Sequence, residues 1–330
     1  MSPLRIGCLG AADIASAALV KPASQSASVT CYAIAARDPA RAATFAKRHG
    51  VPVIHDSYDD LLADGNVDAV YIPLPNSLHA MWTLRALEAG KHVLCEKPFT
   101  ANAAEATRVA EAADRSGLVV MEAFHWRYHP LAERMLEIVH GGELGKVRRL
   151  EAAFCFPLPK RDNIRWSLEL AGGALMDAGC YAVHLVRTLA AAEPSVVSAA
   201  TRTRLPQIDR LTRAELSFPD GRSARVTASM WSSRIFDMSV TVIGDQRTMH
   251  VIQPTNPQHF HRLSVSGPGF ERVERFRSGT TYAHQLTAFA AGVEGSPTVL
   301  TPPGDSVANM RVIDDIYRAA GLEPRRGATD

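Results

Sequence analysis

With 330 residues the chain is long enough for about two domains, and at this size roughly 75% of the unfolded surface can be buried without a disulfide or metal staple. Lys and Arg number 36 against 34 Asp and Glu, for a net charge of +2 with no long block of one sign. A nucleic-acid groove or an anionic membrane surface needs a concentrated basic patch, so this balance argues against both, while 46% hydrophobic and 21% charged residues describe an ordered globule acting on small molecules.

The first 120 or so residues alternate short apolar runs with amphipathic segments. Residues 4–9, 29–36, 69–72, 92–95 and 118–121 are short and rich in β-branched side chains, as strands buried on both faces are. Between them Asp38-Pro39 predicts a helix start and Gly50 its stop, and helices are predicted over 76–89 and 102–116, ending at Gly90 and Gly117. Repeated strand–helix–strand units imply a parallel sheet, here a Rossmann-type doubly wound domain over residues 1–125. The pattern then changes. A helix over 130–140, a strand over 147–156 and a helix over 178–191 precede strands at 196–204, 214–218, 223–231 and 238–243. Pro219-Asp220-Gly221 marks a hairpin among these strands, so residues 126–330 are predicted to form an α/β domain with a large, mostly antiparallel open sheet. Its tail reads as helices over 284–293 and 307–320.

Five cysteines, Cys8, Cys31, Cys95, Cys155 and Cys180, form no CxxC pair and read as small buried hydrophobes in a reducing compartment. The opening MSPLRIGCLG passes straight into a strand pattern, and no apolar stretch reaches spanning length. A cytoplasmic protein without a signal peptide is the expectation.

Chemistry-bearing residues gather at strand ends. Gly10-Ala11-Ala12-Asp13-Ile14-Ala15 follows the first strand and opens a helix, where a dinucleotide fold needs small residues so that the backbone approaches the pyrophosphate. The usual second and third glycines are Ala12 and Ala15, so the turn alone is equally an ordinary βα connection. The second strand ends Ala36-Arg37, with arginine where an NAD site carries an acid, which favours the 2′-phosphate of NADP over NAD. Pro73-Leu74-Pro75-Asn76-Ser77-Leu78-His79 and Glu96-Lys97-Pro98 both leave carboxyl ends of strands, where ligands of such sheets bind. His125 and His129 have metal-ligand spacing, but Pro130 follows, no third ligand is evident, and no metal is predicted. The Trp166 and Trp231 rings read as core, and the polar stretch 160–165 as a solvated loop or a substrate lid.

Taken together, the Gly10 turn, Pro75-Asn76-x-x-His79, Glu96-Lys97-Pro98 and Gly172-Gly173-Ala174-Leu175-Met176-Asp177-Ala178-Gly179-Cys180-Tyr181 resemble the Gfo/Idh/MocA oxidoreductase family across essentially the whole chain. The resemblance implies Lys97 and Asp177 as catalytic residues. Many members carry histidine four residues after that aspartate. Tyr181 in its place is similar to the branch of dimeric dihydrodiol dehydrogenases and NADP-dependent pyranose dehydrogenases, where the tyrosine is taken as proton donor or acceptor. It further implies a cofactor site at Gly10, Ala11, Ala12, Ile14, Arg37, Pro73, Leu74, Asn76, His79, Glu96 and Lys97. Trp126, Arg127, Asp177, Tyr181 and His184 are the expected substrate contacts.

Hydride transfer builds charge on the reacting oxygen, which needs a proton or a cation as it forms. A phenol titrates near 10, so Lys97 beside Tyr181 is expected to lower that value and make a usable acid/base. The expected function is NADP(H)-dependent hydride transfer at a sugar, polyol or dihydrodiol carbon, in a homodimer or higher homo-oligomer built through the second sheet. Two rivals are a non-catalytic NAD(P)-binding regulator, which has no need of both Lys97 and Tyr181, and a redox-neutral enzyme that retains its nicotinamide.

Overall fold

The computed structural model describes residues 2–160 and 162–328. In the first half, β1 (Leu4–Leu9), β2 (Val29–Ala35), β3 (Val53–His55), β4 (Ala69–Ile72), β5 (His92–Cys95) and β6 (Val120–Glu122) form an all-parallel sheet in the order β3-β2-β1-β4-β5-β6. The order reverses between β1 and β4, and the crevice at that switch is where such sheets bind dinucleotides. Local chemistry explains the helices between the strands. Asp38 caps Pro39–His49 by accepting from Ala40 N at 2.9 Å, and Gly50 closes it at φ +70°. Asn102 caps Ala103–Ser116 in the same way and Gly117 ends it at φ +67°.

The second half carries β7 (Val147–Cys155), β8 (Ser195–Leu205), β9 (Ile208–Ser217), β10 (Ser223–Ser229), β11 (Asp237–Gly244), β12 (Thr248–Ile252), β13 (Arg262–Gly267) and β14 (Phe270–Glu274). They pair in the order β14-β13-β12-β11-β7-β10-β9-β8, antiparallel except for β7 beside β10. Leu150, Ala152 and Phe154 of β7, Val226 and Ala228 of β10, and Val240 and Val242 of β11 are buried, and the helix Cys180–Ala190 packs on β7 and β10. The alternate positions carry charge. Arg149 pairs with Glu151 at 2.7 Å and Glu215 at 3.0 Å, and Arg225 lies opposite Glu215. One face is core and the other is polar, as predicted for an open antiparallel sheet.

Several elements differ from the sequence pattern. β3 with the helix Tyr58–Ala63, and β12 to β14, were not expected. They are short, and each buries at most two apolar side chains, which leaves too few positions to read a period from the sequence. The helix expected from 178 begins earlier, as a π-helical turn over Leu175–Gly179 that runs into Cys180–Ala190. Trp166 is buried as expected, whereas Trp231 is 46% exposed at the surface. All five cysteines are free and buried. Among the described residues no helix is long and apolar enough to cross a membrane.

The chain also returns to its first sheet. Helix Thr281–Val293 packs beside β2 and helix Pro303–Ala319 against Ala103–Ser116 and β6. Thr301 joins Glu122 in both directions, its oxygen accepting from Glu122 N and its hydroxyl donating to Glu122 O. Near the end, the Arg325 side chain is fully buried. It donates to Gly172 O at 2.7 Å and meets Asp209 at 3.0 Å, while Asp209 also accepts from Tyr317, Thr212 and Leu175 N. Gly173 sits in this network at φ +131°, where a Cβ would run into the Asp209 carboxylate. The network therefore fixes the Gly-Gly turn that precedes the π turn. Removing one member of a buried pair strands the other charge, so Arg325→Leu is predicted to cost about 3–5 kcal/mol in urea unfolding. A loss under about 1 kcal/mol would show the pair to be dispensable.

Candidate active site

Four segments converge where the two sheets meet: the turn after β1, the loops after β4 and β5, and the π turn. Gly10 leaves β1 at φ +123°, its N–H bonded to Ala35 O, and a Cβ there would come within 3.1 Å of Leu74. The turn thus needs glycine. Ala12 precedes the helix with no side-chain cap, so its first N–H groups face outward for an anion. Ala11, Ala12 and Ile14 are partly exposed along this turn. A cleft of about 510 Å³ opens beside it, lined by Ala11, Asp13, Ser16, Ala40, Arg41, Thr44, Phe45, Arg48 and His49. Arg37 is exposed at the end of β2. Arg41, one helical turn later, donates to Ala11 O at 3.2 Å. The sequence reading passed over Arg41, which lies in the first turn of the Pro39–His49 helix just beyond Arg37.

After β4, Pro73 is buried and Leu74, Pro75 and Asn76 are partly exposed. Asn76 reaches across and donates to Ala171 O at 3.1 Å. His79 is fully buried, with Nε2 at 2.8 Å from Leu74 O and Nδ1 at 2.7 Å from Pro98 O. Burial lowers its pKa despite both carbonyls. His79 thus sits between the β4 and β5 loops, each ring nitrogen facing a backbone carbonyl and one of them donating. Glu96 accepts from the buried Tyr71 hydroxyl at 2.7 Å, and burial raises its pKa against the pull of Lys97 and Tyr71.

Lys97 is the centre of the site. Its Nζ lies 3.6 Å from Asp177 Oδ1, donates to Asp177 O at 3.2 Å and stands 5.1 Å from the centroid of the Tyr181 ring. Asp177 Oδ2 meets Arg165 Nε at 2.7 Å. Burial disfavours both charges, yet each holds the other: Asp177 stays below its ordinary value and Lys97 above. Arg165 comes from the polar loop expected to be solvated or a lid; the loop is largely exposed, and its Arg165 side chain braces the Asp177 carboxylate. Arg161 of the same loop lies outside the described residues. The Tyr181 ring stacks on Phe154 with centroids 4.9 Å apart, and its hydroxyl bonds His125 Nε2 at 3.1 Å. Lys97 was expected to depress the tyrosine. Instead burial, then Tyr282, Glu96, Cys180 and Asp177, raises the phenol well above its ordinary value. The ammonium stands over the ring face, and desolvation wins. Resting Tyr181 is protonated.

The substrate set divides. Trp126 is fully buried and its Nε1 donates to His184 Nδ1 at 3.1 Å. His184, stacked on Phe124 with centroids 4.0 Å apart, passes its Nε2 proton to Asp305 at 2.9 Å. The polar atoms of both rings, expected as substrate contacts, are taken up in these bonds. Arg127 is half-buried, and Asp177 and Tyr181 lie with Lys97. His125 occupies a short 3₁₀ turn and His129 caps Pro130–His140 through Nδ1, so the two do not share a helix face.

A doubly wound sheet with this strand order, whose β5 loop carries a lysine that pairs with an aspartate from the half built on a second, mostly antiparallel sheet, defines a dinucleotide-dependent oxidoreductase. Residues 4–124 match the family model described as oxidoreductase family, NAD-binding Rossmann fold, and residues 132–250 match the GFO/IDH/MocA C-terminal domain. The chain belongs to the Gfo/Idh/MocA family, as the motifs implied. It is similar to D-xylose 1-dehydrogenase (NADP(+)) 2 of Haloferax volcanii, 38% identical over 318 residues that cover 96% of this chain and 97% of that protein. It is 42% identical over 333 residues to a dTDP-3,4-didehydro-2,6-dideoxy-alpha-D-glucose 3-reductase of Streptomyces violaceoruber, covering 97% and 96%. Among solved structures, a 3-ketoreductase from Actinomadura kijaniata in complex with NADP and TDP-benzene superposes with a TM-score of 0.90 at 28% identity, covering 96% of this chain and 98% of that one.

Asp305 yields a stability test. Burial alone would raise its pKa, but the bond from His184 and the charge of Arg187 at 3.0 Å hold it at about 2. The folded value lies below the unfolded one, so the stabilisation is full above pH ~4 and is lost as pH falls toward 2, amounting to about 2 kcal/mol. Asp305→Asn should cost that amount in urea unfolding at neutral pH, with the gap closing only as pH falls to about 2. A gap that persists in acid would assign the effect to packing.

Proposed function

We propose that the protein is an NADP(H)-dependent oxidoreductase that moves a hydride to or from the hydroxyl-bearing or carbonyl carbon of a pyranose sugar, with polyols and dihydrodiols as the neighbouring classes. The observation that carries this is Lys97, held by Asp177 over the Tyr181 ring at the carboxyl edge of the parallel sheet. Residues 1–125 hold the cofactor, and residues 126–330 form the substrate side and the subunit contacts. The uncapped turn Gly10–Ala11–Ala12 with Ile14 suits a pyrophosphate, which needs N–H donors and no bulk. Arg37 and Arg41 suit the 2′-phosphate. Pro73, Leu74, Asn76 and Glu96 border the nicotinamide side. When bound, the dinucleotide supplies the hydride acceptor or donor.

The chain's own residues do the rest. Lys97 places a fixed, largely buried cation against the substrate oxygen, where charge develops. Asp177 orients that ammonium and is itself braced by Arg165. Tyr181 exchanges the proton of the reacting oxygen. The loop between β10 and β11 exposes Phe236 (75%) and Ile235 (59%), apolar surface that supports a homodimer formed on that side of the second half, in a cytoplasmic protein.

The test is NADP+ reduction with a panel of aldoses, polyols and trans-dihydrodiols. Lys97→Met and Tyr181→Phe are each expected to lower kcat roughly 10²–10⁴-fold while leaving NADP+ affinity near wild type. Tight NADP+ binding with no turnover on any of the panel would point to a binding protein instead. Arg37→Ala and Arg41→Ala are each expected to weaken NADP+ about tenfold or more and to spare NAD+, because each removes a charged bond to the phosphate. Unchanged preference in both variants would contradict the phosphate assignment.

A further inference from the structure

His125 was set aside in the sequence, yet it is the group that Tyr181 actually touches. A buried line of four polar side chains runs from the phenol. Tyr181 Oη lies 3.1 Å from His125 Nε2, His125 Nδ1 lies 2.8 Å from Thr281 Oγ1, and Thr281 donates to Gln258 Oε1 at 3.3 Å. Tyr181, His125 and Thr281 are all buried, while Gln258 reaches the partly exposed edge.

Donors and acceptors along this line have one consistent order. Gln258 Oε1 can only accept, and the amide's Nε2 donates to Asn256 at 3.4 Å. Thr281 has a single hydroxyl proton, and it goes to Gln258. Its oxygen therefore accepts from His125, which must carry its proton on Nδ1. Nε2 is then bare, and the Tyr181 hydroxyl donates to it. The phenolic proton points away from Lys97, and the lone pairs of the oxygen are left for a substrate.

We propose that His125 is the positioning residue and proton partner of Tyr181: it fixes the phenol as an acceptor toward a substrate hydroxyl and takes the phenolic proton as the alcohol is oxidised. This rests on the assignment of Tyr181 as acid/base. In that direction the substrate carbon gives its hydride, with the electron pair, to NADP+. The hydroxyl proton passes to Tyr181 Oη, the phenolic proton passes to His125 Nε2, and a C=O bond remains. After product leaves, the imidazolium returns the proton through Tyr181 to solvent, so one NADP+ and one alcohol yield NADPH, a carbonyl and one proton.

The surroundings fit a neutral, accepting ring. Lys97 faces it from the β5 loop, Tyr181 from helix Cys180–Ala190, and Tyr282 from helix Thr281–Val293 at 4.3 Å between centroids. Asp177 and Glu96 lie beyond Lys97. Burial, then the Lys97 charge, pushes His125 down to about 3. It is thus too weak a base to ionise resting tyrosine. Loss of hydride makes a protonated carbonyl, a far stronger acid than imidazolium, so the two protons shift only as the hydride leaves.

Two variants separate this from packing. His125→Asn keeps a donor toward Thr281 but has no acceptor at Nε2, and His125→Phe keeps only the ring. With NADP+ and D-xylose, or the fastest sugar of the panel, both should lose kcat roughly a hundredfold with KM and NADP+ affinity unchanged. Independently of turnover, nitrogen NMR of histidine-labelled protein should show His125 as the neutral Nδ1–H form throughout the neutral range. An Nε2–H form, or wild-type kcat in both variants beside an inactive Tyr181→Phe, would each overturn the proposal. Wild-type rates in Tyr181→Phe would overturn the acid/base reading itself.

Discussion

The pair Lys97–Asp177 is the contact on which the molecule's organisation turns. Its two members come from different halves of the chain, the loop after β5 and the π turn, 80 residues apart in sequence, and both are withdrawn from water. Such a pair is costly to bury and is held only where further groups satisfy it. Arg165 on the far oxygen of Asp177 and the Asp177 carbonyl on the ammonium meet that demand. The consequence is a fixed positive charge at the carboxyl edge of the first sheet, beside the place where its strand order reverses.

Much of the second half serves to hold Asp177 there. The π turn Leu175–Gly179 follows a Gly-Gly corner pinned by Asp209, Arg325 and Tyr317. Gly179 packs against Leu175 and Ala228, so the turn seats directly on β10. On the other side His79 ties the loops after β4 and β5, which fixes the backbone that carries Lys97. The site is thus assembled between two rigid supports. Beneath it Trp126, His184, Asp305 and Arg187 form a third, with each proton committed to the next acceptor.

How much of this was legible follows from the range of each interaction. Caps such as Asp38 with Gly50 and Asn102 with Gly117 are local, and strands buried on both faces are continuous apolar runs, so the first sheet could be read directly. β3 and β12 to β14 are short and half-buried, and their pairing depends on neighbours far along the chain. Lys97, Asp177 and Tyr181 were recognisable as a motif. The His125–Tyr181 bond was not, because it joins residues 56 apart through tertiary packing alone. The sign of the tyrosine shift was misjudged for a related reason: a neighbouring charge is visible in a motif, whereas the desolvation that outweighs it exists only in the fold.

The most direct measurement is label transfer from D-xylose deuterated at C1, incubated with NADP+ and the protein. A hydride-transfer site built on Lys97, Asp177 and Tyr181 predicts deuterium at nicotinamide C4 of the reduced cofactor, with none transferred by Lys97→Met at the same cofactor occupancy. Label that fails to reach the cofactor with any sugar, dihydrodiol or polyol deuterated at its reacting carbon, or reaches it equally without Lys97, would contradict it.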